Sequence, residues 1–135
     1  MKLSKNFSLS EFERSETAER LEIDNAIPSE AQLNLRALCV NVLQPLRNLA
    51  GEPLRVNSGY RCEELNKAVG GVPTSQHRLG EAADVCWDGK AADLYDIISE
   101  SNLEFDQVIL YRKKNFVHVS YTSSRKDRRQ LIIKY

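Results

Sequence analysis

Apolar residues recur at helical spacing in the first third of the chain and alternate with polar ones in the last third. Leu35, Leu38, Cys39, Val42, Leu43, Leu46 and Leu49 follow one another at helical intervals up to Gly51, which predicts an amphipathic helix with a glycine stop. Ser29 and Gln32 have capping-box spacing at its start, and Pro45, lacking an N–H, should kink it or end its regular part. The apolar stripe reads as core rather than as a partner-binding face. Upstream, Ser10 and Glu13 have the same capping-box form and open a short helix through about Arg20, before residues 23–28 break the pattern.

Further along, residues 54–57 read as a strand, 62–68 as a short helical turn and 83–87 as a second strand. A helix over 90–100 carries Leu94, Ile97 and Ile98 on one face. Residues 105–111 and 116–121 then form a hairpin around Arg112, Lys113, Lys114 and Asn115, and 131–134 adds an edge strand. Helices first and strands mostly later define an α+β domain, an antiparallel sheet with helices packed on it. Nothing resembling a linker or repeat divides the chain, so residues 1–135 form one domain, long enough to bury a core without staples.

Charge narrows the possible partners. Nineteen basic and nineteen acidic residues cancel, which argues against nucleic acid or a membrane surface as the partner. Three cysteines, Cys39, Cys62 and Cys86, are an odd number without C-x-x-C spacing, and fit reduced thiols made in a cytoplasm. The polar start, followed by no apolar run, reads as neither signal peptide nor membrane span. A substrate outside the cell would require another way out for the chain.

The chemistry gathers between Ser58 and Asp84. His77 is followed seven positions later by Asp84, with Gly80 and Ala82 between them, a pattern that suits a metal ion held by a loop and the strand after it. Arg61, in Ser58-Gly59-Tyr60-Arg61, places a permanent cation at the end of a short β-type run, where it could face a carboxylate or a developing oxyanion. His118 and Ser120 share a face of the alternating run Phe116-Val117-His118-Val119-Ser120. Two histidines and an aspartate make a three-ligand centre with one position open, as catalytic zinc sites have. Ser75 is either a turn residue or a donor that orients a ligand. Arg125, Lys126, Arg128 and Arg129 read most simply as a solvated turn, with docking of an anionic wall polymer as the alternative.

With these residues in view, the chain resembles the zinc D-alanyl-D-alanine carboxypeptidase group, peptidase family M15, especially its short phage- and prophage-type members. The resemblance rests on SGYR, on SQHRLGEAAD in the form S-x-H-x-x-G-x-A-x-D, and on the late FVHVS, and covers roughly residues 7–121. It implies a Hedgehog/DD-peptidase-like fold, Zn²⁺ on His77, Asp84 and His118, and Arg61 in contact with substrate or the polarised carbonyl. It also implies action on peptidoglycan peptides, in the cell wall after release, in phage or prophage lysis; the chain is expected to act as a monomer.

The general base is not assigned by the sequence. Better-studied members of that family carry a carboxylate three residues before the second histidine, where this chain has Asn115, which cannot take a proton. A glutamate that some short members carry is replaced by Tyr111. If the hairpin pairs Ile109 with His118, Asp106 points away; a slip of one residue would reverse that, and Glu81 is another candidate. Two other classes therefore stand beside the peptidase: a wall-binding module that keeps the metal without turnover, and a structural zinc domain closed by Cys62 or Cys86.

Overall fold

The structure is a computed structural model that describes residues Met1–Tyr135. A small hairpin of β1 (Lys2–Ser4) and β2 (Phe7–Ser8) leads into two short helices, α1 (Leu9–Glu13) and α2 (Glu16–Arg20). One helix over this stretch was expected. It is divided at Arg14 and Ser15: the Ser8 amide donates to the Glu11 carboxylate at 2.7 Å to start α1, and the Ser15 hydroxyl accepts from the Ala18 amide to start α2. The capping box therefore sits two residues earlier than Ser10 and Glu13 suggested.

The long helix starts after Pro28 as α3 (Ser29–Leu38) and ends as α4 (Gln44–Ala50) against Gly51. Ser29 is its first helical residue and does not cap it, and Gln32 turns back to the Ile27 carbonyl. Between α3 and α4 the chain makes a π-helical turn, Cys39–Leu43. Pro45 accounts for that turn, because its missing N–H cannot serve the carbonyl four residues earlier and the wider turn absorbs the mismatch. The Asn41 side-chain amide donates to the Ala37 carbonyl at 2.8 Å. Leu35, Leu38, Cys39, Val42, Leu43 and Leu46 are fully buried, so the stripe is core up to Leu46; Leu49, expected to continue it, is exposed in the last turn before Gly51. Each such aliphatic side chain contributes roughly 1.5–3 kcal/mol by leaving water.

The remaining elements are β3 (Arg55–Ser58), α5 (Glu63–Ala68), a 3₁₀ turn (Gln76–Leu79), β4 (Ala82–Cys86), α6 (Ala91–Ser99), β5 (Gln107–Tyr111), β6 (Phe116–Ser120) and β7 (Gln130–Lys134). The main sheet runs β3-β4-β6-β5-β7. It is antiparallel except at its last edge, where β7 lies parallel to β5. The fold is thus α+β, with the expected antiparallel pairing completed by one parallel strand. Ala83 and Val85, Val117 and Val119, Val108 and Leu110 point into the core shared with the long helix and α6. Their neighbours of opposite parity, Asp84, His118, Ile109 and Tyr111, line the other face.

The basic segment after Thr122 is exposed, as expected of a solvated turn, but two of its arginines are anchored. Arg125 and Arg128 both reach the fully buried carboxylate of Asp106, at 2.7 and 2.8 Å. Arg129 lies over the Phe105 ring and donates to the Ser101 and Leu103 carbonyls. Burial alone would raise the Asp106 carboxyl, but hydrogen bonds from Arg128 and Arg125 outweigh it and hold it well below the usual carboxylate range.

Candidate metal centre

His77 comes from the 3₁₀ turn, Asp84 from the middle of β4 and His118 from the middle of β6. Asp84 and His118 are direct cross-strand partners, and Ile109 and Ile132 continue the same row on β5 and β7. The turn carrying His77 is tightly specified. Gly80 ends it at φ +74, and a Cβ there would lie 2.4 Å from the Ala31 carbonyl oxygen, so the site needs glycine for both conformation and room. The Ser75 hydroxyl accepts from the His77 amide at 3.2 Å and faces the cleft. It fixes the turn by accepting a hydrogen bond, and in the structure it bonds to neither histidine ring.

The ligand-bearing atoms converge. His77 Nε2 lies 3.3 Å and His118 Nδ1 2.9 Å from Asp84 Oδ1, and the three groups could hold a metal ion. Donor atoms around a tetrahedral zinc, at roughly 2.0–2.2 Å from it, stand about 3.4 Å apart, close to these spacings. The other nitrogen of His77 faces the Gly59 carbonyl at 2.7 Å. A carbonyl can only accept, so Nδ1 carries a proton, and Nε2 is the nitrogen turned toward Asp84 and toward a metal. Burial alone would raise the Asp84 carboxyl; hydrogen bonds from His118 and His77 outweigh it and hold the group well below the usual range. Two imidazole nitrogens and one ionised carboxylate oxygen are a donor set that zinc accepts.

Arg61 flanks the cluster. Its Nη2 is 3.6 Å from Asp84 Oδ2, its Nε donates to the Ser58 hydroxyl at 3.1 Å and its Nη1 to Asn66 Oδ1 at 3.3 Å. Its own amide donates to the His77 carbonyl, which ties the arginine to the ligand turn. Ser58 lay within the sequence motif. Asn66, buried and also donating to the Val72 carbonyl, did not, because a helical asparagine carries no signal until the loop packs on it. The cleft over the cluster is about 290 Å³ and is walled on the hairpin side by Tyr111, Lys114 and Phe116. Tyr111 stacks on Phe116 at 4.7 Å between ring centres.

Neither candidate for the base, Asp106 or Glu81, lines this cleft, nor does Asn115. Asp106 is held by its two arginines; the hairpin has the Ile109–His118 pairing that turns it away. Glu81, just before β4, accepts from the Thr122 hydroxyl at 2.7 Å and from the Gln76 side-chain amide. Asn115, at φ +58, accepts from the Ala91 amide at 2.8 Å and so caps α6. Cys62 accepts from the Leu65 amide, Cys86 donates to Asn57 and Cys39 lies in the core, so no thiol joins the cluster.

A cleft floored by two histidines and an aspartate on the open face of such a sheet is the setting of a metallopeptidase. The family model described as Peptidase M15 matches residues 5–120, and the chain belongs to that family. No curated protein matches it.

Proposed function

We propose that the protein is a zinc-dependent peptidase that cleaves stem peptides of peptidoglycan at a D-amino-acid junction. The observation that carries this reading is the convergence of His77, Asp84 and His118 beneath a cleft whose flank is the Arg61 guanidinium. Zinc, when bound by these three side chains, would supply Lewis acidity toward a carbonyl and a water molecule. Asp84 keeps its charge, and His77 is held in its tautomer by Gly59. Arg61 keeps unshared N–H groups beyond those given to Ser58 and Asn66, and they can stabilise negative charge developing on the scissile oxygen.

A second reading has an observation of its own. Asp84 is the only carboxylate that lines the cleft, which favours a zinc-containing wall-binding module without turnover. Digestion of purified peptidoglycan by zinc-loaded wild type and Arg61→Ala, read by mass spectrometry, separates the two. A peptidase releases product, and Arg61→Ala keeps its zinc but loses turnover by on the order of a hundredfold or more. Wild type that binds fragments and releases nothing at any zinc loading would leave the binding module.

A further inference from the structure

The metal cleft is not the largest cavity beside Arg61. Next to it lies a cavity of about 440 Å³ lined by the free edge of β3, the first turn of α2, and Leu65 and Val69 of the α5 region. Arg61 and Val69 line both spaces. The size falls in the range of ligand sites, roughly 300–1,000 Å³. Its walls mix Asn57, Ser58 and Thr17 with Val56 and Leu65, chemistry that suits a peptide, with backbone groups to hydrogen-bond and side chains to cover.

This placement bears on what Arg61 can do. An arginine that captures the terminal carboxylate of a chain closes the end of a pocket, whereas Arg61 borders both spaces. We infer that the metal cleft and the β3 cavity form one groove with Arg61 partway along it, so that the substrate chain continues past Arg61 and the bond cut is internal. The enzyme is then an endopeptidase rather than a carboxypeptidase. The inference rests on the peptidase reading above and specifies its substrate: a peptide extended on both sides of the scissile amide, whose hydrolysis consumes one water and yields a new carboxylate and a new amine.

The test uses the zinc-loaded full chain with two defined probes from the same wall, a monomeric pentapeptide muropeptide and a cross-linked dimer. Products that mass spectrometry assigns to internal cleavage, with the dimer preferred, support the groove; release of a single terminal residue alone overturns it. Thr17→Trp projects a ring into the cavity from α2 and should erode the dimer preference by about tenfold, the value of one lost contact. Thr17→Ala should retain the preference, and thermal melting of both variants shows whether they fold. Arg14→Glu, an exposed change on the same wall, gives a second reading of the cavity. An undiminished dimer preference in Thr17→Trp overturns the proposal. If neither probe is cut, the peptidase reading has failed while the groove is still tested by fluorescence anisotropy: tighter dimer binding, lost in Thr17→Trp, supports it, and equal binding of both probes overturns it.

Discussion

Asn115 shows how one side chain can be taken out of a site by its backbone. Its left-handed φ is tolerable for asparagine, and the same conformation aims its amide oxygen at the Ala91 N–H and away from the cleft. Asn115→Glu should therefore cost about 1 kcal/mol, measured by denaturant unfolding, and bring no gain in peptide cleavage. A rise in cleavage would mean that position 115 reaches the scissile bond after all. The cysteines divide in a similar way: burial pushes the Cys39 thiol up to about 12, whereas Cys62 and Cys86 are partly exposed. An aromatic disulfide reagent should label two thiols in the native protein and the third only on unfolding. His77, Asp84 and His118 were legible as a set because their spacing in S-x-H-x-x-G-x-A-x-D and the alternation around His118 are local patterns. The Gly59 carbonyl that orients His77 and the Asn66 amide that holds Arg61 were not: the first contact needs the 3₁₀ turn folded back on the end of β3, and the second depends on side-chain directions at the start of α5 that no spacing rule gives.

At the scale of elements, periodicity located the core helix and the hairpin but not what interrupts or borders them. Pro45 announced an irregularity, and whether it became a kink or a π-helical turn depended on the buried stripe on either side, which keeps one continuous face across the turn. The parallel edge was hidden for a different reason: β7 is exposed along most of its length, so burial does not impose alternation on it. What holds the segment leading into β7 is Asp106, gripped by Arg125 and Arg128. Its carboxyl is depressed in the folded protein, so the stabilisation is present above the unfolded value, about 3.9, and is lost as pH falls below that. Asp106→Asn should cost about 2–3 kcal/mol at neutral pH and should flatten the acid limb of the stability curve below pH about 4. An acid limb equally steep in the variant would show that other carboxylates govern it.

Over the whole molecule, the candidate centre joins three segments that only the folded chain brings together. Metal bound to the folded state and not to the unfolded one adds stability in proportion to the logarithm of its free concentration. Zinc should thus raise the melting temperature and a chelator lower it. Asp84→Ala should abolish the response, because two imidazoles alone make a poor site; an unchanged zinc response in a His77→Ala, Asp84→Ala double variant would exclude this centre. The sheet also sets an order of assembly. Asp84 and His118 are 34 positions apart, and β6 must slot between β4 and β5 before they meet. A growing chain on the ribosome displays His77 and Asp84 well before it displays His118, and during that interval it holds an incomplete donor set. Secure capture of an ion by these three side chains would have to wait for the central strand, so a truncated product ending before Phe116 should bind none, and occupancy would mark a completed central strand.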